Sequence, residues 1–373
     1  MSTIHVVTEF KRDSKIESYW YECFHDEDFH GYNVNIIDGT LLDHESYLFS
    51  DTFFKSTQLR NLLDLVGRNK IRDGDVVVFA NAWNYIAIPL SLFRDEFQMK
   101  FHMIGMWGDS LYNQESPMWH RYHGIRKDWA RQVELSLFNA FDVNCFWCER
   151  HLTMFKQKFL SRKDIMGSSR VTGYPFGYLA KESKVSNKKL LTLVFPYNLR
   201  IDAHAALIQG LKTDLKDYEV VLAQEQTNNR LAYNDLLDEA KLMCSFNKTE
   251  INPVLLYEAM LRGALPLVPD TETYAEMFDR RFLYPSELAI AKNNKVMYLH
   301  RSRHQMEQII TDAMNRYDEL LPASLENAEE LGKYYSNKPF LKLLDELSDK
   351  KPKRAVKQKK AEKRIKKRNL TQY

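Results

Sequence analysis

Short runs of β-branched and aromatic residues alternate with longer stretches in which apolar residues recur every three or four positions. That alternation predicts a parallel sheet whose strands are joined by helices. In the first half, strands are expected at Ile4–Thr8 (IHVVT), Tyr32–Ile37 (YNVNII), Asp75–Ala80 (DVVVFA) and Lys100–Met106 (KFHMIGM), the third announced by the turn Asp73-Gly74. A helix is expected over Ser56–Arg68, where Leu59, Leu62, Leu63 and Val66 share one face.

A second series follows Gly173-Tyr-Pro-Phe-Gly177 and the polar stretch Lys181–Lys189, which together read as a linker. Its strands are expected at Leu190–Pro196, Tyr218–Ala223, Leu242–Phe246 and Ala264–Val268, with helices over Asp235–Lys241 and Pro253–Arg262. Met306–Leu347 reads as helical throughout, and no internal repeat is evident. The expected architecture is α/β: two Rossmann-like domains facing a central cleft, with the ligand at the carboxyl ends of the strands, and a basic C-terminal tail. The boundaries are expected at 1–178 for the first domain, 188–347 for the second and 348–373 for the tail.

Length agrees: 373 residues suit two domains of roughly 150 to 190 residues each. Hydrophobic residues at 44% and charged residues at 28% exclude a wholly disordered or collagen-like chain. Four cysteines, the lack of an apolar leader after Met1 and of any long apolar run lead us to expect a soluble protein of a reducing cytoplasm. The net charge of +3 conceals a polarised chain. Lys350–Arg368 holds twelve Lys/Arg against the single acid Glu362, leaving 41 basic and 49 acidic residues elsewhere, so a body of −8 carries a tail of +11. Neither a G-x-G-x-x-G nor a G-x-x-x-x-G-K-[ST] motif occurs, which disfavours a dinucleotide oxidoreductase and a P-loop NTPase.

The most informative segment is Asn247–Asp270, NKTEINPVLLYEAMLRGALPLVPD. It sets Glu250 after a strand, Asn252 as a helix cap, Pro253 at the helix start, Glu258 in mid-helix and Gly263 past the helix end, before a new apolar strand. The spacing Glu250-x7-Glu258, with the Ala-Met and Gly-Ala-Leu-Pro-Leu-Val that follow, resembles the E-x7-E signature of glycosyltransferases of the GT-B fold. The resemblance implies that Glu250 touches the hydroxyls of the donor sugar and that Glu258 binds the ribose hydroxyls of the nucleotide. Carboxylates suit both tasks because each accepts several hydrogen bonds. It also implies that Asn198, Arg200 and His204, after the strand Leu190–Pro196, meet the donor diphosphate, Arg200 through planar, permanently charged donors.

In the first domain, the strand Lys100–Met106 runs into Trp107-Gly108-Asp109-Ser110. This stretch is loosely similar to the catalytic strand and aspartate of T-even phage DNA glucosyltransferases, which implies that Asp109 is a catalytic base or steadies charge at the anomeric carbon. Trp83, Trp107, Tyr112, Trp119 and His120 form an aromatic set suited to stacking on an acceptor sugar or an unpaired base. Asn84, Tyr85, Tyr122, His123 and Trp129 belong to the same neighbourhood. Cys145-Phe-Trp-Cys148 with His151 lacks the further ligands of a zinc site and reads as buried thiols. The glycine-rich loop usual after the first strand of such enzymes is replaced by Thr8-Glu9-Phe10-Lys11.

The tail binds polyanions without reading sequence. Joined to the phage resemblance, it implies DNA as partner, bound by the tail and the cleft, with a 5-hydroxymethyl pyrimidine as acceptor for a sugar from a UDP-sugar. The enzyme would then be phage-encoded, act in the host cytoplasm and be a monomer. No cofactor is required by the sequence, and dependence on a divalent metal is left open. So are the donor sugar and the stereochemistry, since E-x7-E enzymes mostly retain the anomeric configuration and the phage enzyme inverts it. Two rival readings stand: the same machinery acting on a lipid or polysaccharide at a membrane, and a non-catalytic nucleic-acid-binding protein on a transferase fold.

Overall fold

The structure is a computed structural model that describes residues 2–8, 15–42, 47–108, 111, 127–159, 168–190, 192–195, 202–223, 230–248, 252–289 and 296–349. The chain divides into two units: Met1–Phe176 together with the C-terminal segment beginning at Ser336, and Gly177–Tyr335.

Unit 1 is built on six parallel strands, β1 Thr3–Val7, β2 Asn33–Ile37, β3 Val76–Phe79, β4 His102–Trp107, β5 Val143–Phe146 and β6 Ser168–Val171, in the order β2-β1-β3-β4-β5-β6. The helices α1 Lys15–Cys23, α2 Tyr47–Gly67, α3 Ala87–Glu96, α4 Lys127–Ala140 and α5 Glu149–Phe159 join them. Strands β3 and β4 are buried at every position, as parallel strands covered on both faces must be. Their Val77, Phe79, Met103 and Trp107 pack with Leu62, Leu90, Phe138 and Phe155 from the helices.

Unit 2 carries α6 Tyr178–Glu182, β7 Thr192–Phe195, α7 Asp202–Asp214, β8 Glu219–Leu222, α8 Arg230–Glu239, β9 Ala240–Cys244, α9 Val254–Leu261, β10 Leu265–Pro269, α10 Glu272–Met277, β11 Leu283–Tyr284, α11 Val296–Asn315 and α12 Tyr317–Tyr335. Its parallel sheet has the order β11-β10-β9-β7-β8. Helix α7 packs with α11, and α8 with α9, which also rests on α12.

The expected strands all form, shifted by one or two residues. Three differences have physical causes. Residues Met306–Leu347 are helical as expected, but in three helices broken at Arg316 and Ser336. The last, α13 Asn337–Asp349, groups with unit 1, where Asn337 Nδ2 donates to Asp28 Oδ2 at 2.8 Å, Tyr32 donates to Asp345, and Arg170 lies 3.7 Å from Glu346. Ala240 and Lys241 belong to β9 rather than to the preceding helix, because α8 passes into β9 with no intervening residue. No described helix is long and apolar enough to cross a membrane.

Candidate functional site

In each sheet the chain leaves two neighbouring strands in opposite directions, and the crevice outside their carboxyl ends is where such folds take ligands. In unit 2 these strands are β7 and β9; in unit 1 they are β1 and β3. The segment after β9 starts at Ser245, whose carbonyl accepts from the Tyr284 hydroxyl at 2.7 Å and whose Oγ accepts from the Asn247 N–H at 3.2 Å. Asn198, Arg200 and Glu250, on the segments after β7 and β9, lie outside the described residues. His204 lies in the first turn of α7.

Glu258 is described in full. Helix α9, VLLYEAML, is apolar nearly all round, with Leu256, Tyr257, Glu258, Ala259 and Met260 all buried, and Glu258 is its single charge. A carboxylate with 2% of its side chain exposed needs a counter-charge. Arg230, the first residue of α8, supplies it as a two-pronged pair: Nη1 donates to Oε2 at 3.1 Å and Nη2 to Oε1. The Arg230 guanidinium also lies 5.8 Å from the ring centre of Tyr233, one turn along α8. Burial, and next the Glu258 charge, push the Tyr233 hydroxyl well above its ordinary pKa, against the pull of Arg230 and Arg262. One turn beyond Glu258, Arg262 donates to Asp238 Oδ1 at 2.7 Å. The seam between α8 and α9 thus has two rungs of opposite polarity.

The ends of α9 are fixed in two ways. Asn252 was the expected cap, but Pro253 holds the N-cap position and Asn252 Oδ1 instead accepts from the Tyr335 hydroxyl at 3.0 Å. Tyr335 stacks on Tyr257 with centroids 4.3 Å apart. At the other end Gly263 has φ +90°, the left-handed geometry expected of the residue after a helix, and its N–H reaches the Met260 carbonyl at 2.9 Å. Where α8 runs straight into β9 there is no room for a glycine cap. Lys189 caps it instead, donating to the Leu237 and Ala240 carbonyls at 2.9 and 2.8 Å. Burial lowers the Lys189 pKa to about 8.

In unit 1, Asp109, Tyr112, Trp119 and His120, with Tyr122 and His123, lie outside the described residues. Trp83, after β3, is half-buried, and its indole N–H donates to Glu134 Oε1 at 3.2 Å. The same oxygen accepts from the Leu111 N–H at 3.0 Å, so the buried Glu134 of α4 ties the segment after β4 to Trp83. Trp107 is 1% exposed, lies parallel to Phe146 at 7° with centroids 6.1 Å apart, and donates to Asn144 at 2.7 Å. Its ring is committed to the core and leaves the acceptor set for that reason. Asn84 is buried and accepts from the Ile86 N–H, whereas Tyr85 and Trp129 are exposed. All four cysteines are buried thiols outside any disulfide, and burial lifts the Cys145 thiol to about 12 and lowers His151 to about 3. Among the described residues no group of three or more His, Cys, Asp or Glu could hold a metal ion.

Sequence reasoning missed Arg230 and Glu134. A signal for the first was present, since one acid in an apolar octet demands a cation, but its partner is set only by the packing of α8 on α9.

No family model matches the chain, and no curated protein matches it in sequence. Solved structures do match its fold. Sucrose-phosphate synthase from Thermosynechococcus elongatus superposes with a TM-score of 0.59 at 9% identity, over 92% of this chain and 98% of its own. HepE from Anabaena, solved with UDP-glucose, gives 0.57 at 10% identity over 93% and 99%. The pneumococcal O-GlcNAc transferase GtfA, solved with UDP and GlcNAc, gives 0.54 at 12% identity over 80% of this chain, which spans 61% of that enzyme's length. Two parallel-sheet α/β units and these neighbours establish the fold as GT-B.

Proposed function

We propose that the protein is a glycosyltransferase that moves a sugar from a UDP-sugar to a hydroxyl acceptor. The observation that carries this reading is Glu258: a buried carboxylate on the helix that follows β9, at the strand pair where a GT-B donor domain takes its nucleotide. Glu258 binds the vicinal hydroxyls of the ribose, Glu250 the hydroxyls of the donor sugar, and Asn198, Arg200 and His204 the diphosphate. Diphosphate binding by Arg200 offsets the charge that develops on the leaving nucleotide as the glycosidic bond breaks. Asp109 takes the proton of the acceptor hydroxyl, and Trp83, Tyr112, Trp119 and His120 hold the acceptor.

For that acceptor we favour a 5-hydroxymethyl pyrimidine in DNA. The +11 charge of Lys350–Arg368 against a −8 body favours a polyanionic partner, and the aromatic set suits a base taken out of its stack. The test is incubation with a panel of UDP-sugars and DNA containing hydroxymethylcytosine, followed by mass analysis of the nucleosides. A gain of one sugar residue is the expected result. UDP release with lipid or polysaccharide acceptors and no change in DNA would move the acceptor away from DNA, while loss of salt-sensitive DNA binding on deleting Lys350–Tyr373 would support it.

A further inference from the structure

Val7 of β1 pairs with Ile37 of β2 in parallel register, so the next residue of each strand, Thr8 and Asp38, leaves the sheet side by side at its carboxyl end. Strand β1 is also one of the two that border the crevice of unit 1. Gln58 of α2, wholly buried, stitches the two strand ends: its amide nitrogen donates to the Thr8 carbonyl at 2.8 Å and to the Ile37 carbonyl at 2.9 Å. Two carbonyl partners fix which end of the amide is the nitrogen. The same nitrogen donates to Thr8 Oγ1 at 3.2 Å, and the Thr8 hydroxyl in turn donates to Asp38 Oδ1 at 2.8 Å, with the Ile37 carbonyl more distant at 3.4 Å. From the other side the Tyr21 hydroxyl of α1 donates to Asp38 Oδ2 at 2.6 Å. The backbone behind the carboxylate is held as well. Asn61 donates to the Asp38 carbonyl at 2.9 Å, and α2 passes so close to Gly39 that a Cβ there would collide with the Phe54 carbonyl. Asp38 is therefore a carboxylate fixed in plane, with one hydroxyl donor on each oxygen.

The fold gives it no counter-charge. Among the described residues no cation pairs with Asp38, and the buried cation of α2, Lys55, is taken by Asp51 at 3.1 Å. A half-buried carboxylate without a cation is costly to place, and Gln58 already joins the strand ends without it. An asparagine would hold Thr8 and Tyr21 as well. The negative charge is accounted for by a ligand that donates to it. A carboxylate accepts about four hydrogen bonds, so two hydroxyl donors do not exhaust it.

We propose that Asp38 is an acceptor-binding residue of unit 1 that takes a hydrogen bond from a neutral hydroxyl or amino group of the molecule receiving the sugar. Thr8 and Tyr21 are the positioning residues that hold its plane. The proposal rests on the reading of the protein as a glycosyltransferase. It also narrows the acceptor: a phosphate or carboxylate is repelled by Asp38, so the part of the acceptor that meets the carboxyl ends of β1 and β2 is uncharged. In hydroxymethylcytosine the hydroxymethyl group and the ring amino group both qualify.

The test is steady-state transfer by the full chain from a panel of UDP-sugars to an oligonucleotide containing hydroxymethylcytosine, with calorimetric titration of UDP alongside. Asp38→Asn can keep both side-chain contacts, one of them reversed, and removes the charge. Its KM for the oligonucleotide should rise at least about tenfold, while its dissociation constant for UDP stays within about twofold of wild type. Tyr21→Phe and Thr8→Val, which each release one oxygen, should raise KM about threefold. Asp51→Asn breaks the Lys55 pair on the same helix and should keep the wild-type KM even if it melts earlier. An unchanged KM in Asp38→Asn overturns the proposal and leaves the transferase reading standing. A rise in KM matched by an equal loss of UDP affinity also overturns it, since the effect then lies on the donor. If wild type transfers instead to a polysaccharide or lipid, the same variants are compared on that acceptor and the same outcomes decide. A wild type that transfers to none of these overturns both readings. If Asp38→Asn does not fold, Tyr21→Phe decides: a raised KM with unchanged UDP affinity supports the proposal and an unchanged KM defeats it.

Discussion

Glu258 and Arg230, 28 residues apart in sequence, meet in a two-pronged ion pair in which the acid is buried and the base reaches the surface. The asymmetry decides what each substitution does. Arg230→Met strands a buried carboxylate and should cost about 3 kcal/mol, whereas Glu258→Gln leaves an arginine with access to water and should cost about 1 kcal/mol. The double variant Arg230→Met/Glu258→Leu should recover much of the loss. Urea denaturation of the three variants checks the order; equal costs for the two single changes contradict it.

Gly263 should resist replacement. With φ at +90°, a Cβ there would also sit 2.9 Å from Val185 Cγ1, and the Gly263 carbonyl accepts from the Tyr317 hydroxyl at 2.7 Å. Gly263→Ala is expected to lose about 1–2 kcal/mol, from strain and crowding together. Unchanged stability by chemical denaturation would show that the segment relaxes.

Lys189 gives a dependence on alkaline pH. Its folded pKa of about 8 lies below the ordinary value of 10.5, so between these the unfolded chain holds the extra proton. Stability relative to Lys189→Met should therefore rise with pH across that window, by at most about 1.4 kcal/mol per pH unit. Tyr233, Tyr257 and Tyr317, whose pKa values are raised by burial, act in the opposite sense above about pH 10, so the comparison belongs between pH 8 and 9.5. A difference between wild type and variant that does not change with pH in this interval would count against a buried ammonium.

His151 gives the complementary acid dependence. Complete burial lowers its pKa to about 3, so the stability held above the ordinary value of 6.5 is lost progressively as the pH falls from 6.5 toward 3. His151→Leu should flatten the stability profile in that range, measured by thermal melts in matched buffers. An equally steep profile in the variant places the acid sensitivity elsewhere.

Much of the fold could be read from the sequence, because parallel strands buried on both faces write themselves as runs such as Val76–Phe79 and Thr192–Phe195. Of the three described strands that were not anticipated, Val143–Phe146 and Ser168–Val171 are four residues long and Leu283–Tyr284 only two. Asn144 interrupts the first, and the second is a sheet edge with alternate residues exposed. The early turns of α2 escaped notice because its apolar periodicity is clear only from Leu59 onward. At the site, Glu258 was singled out by its spacing from Glu250 and the punctuation of the helix around it. Arg230 was not, since nothing local distinguishes an arginine at the start of α8 from a solvated one, and only its packing against α9 gives it a partner.

Under the proposed function, unit 2 holds the nucleotide of a sugar donor through Glu258. The direct measurement is calorimetric binding of UDP and a panel of UDP-sugars to the full chain and to Glu258→Ala, with thermal melts recorded alongside. Wild type should bind saturably and the variant at least about tenfold more weakly, a loss of about 1.4 kcal/mol, with the fold retained. Wild-type protein that binds no UDP-sugar, or a variant that binds as tightly as wild type, would contradict this reading.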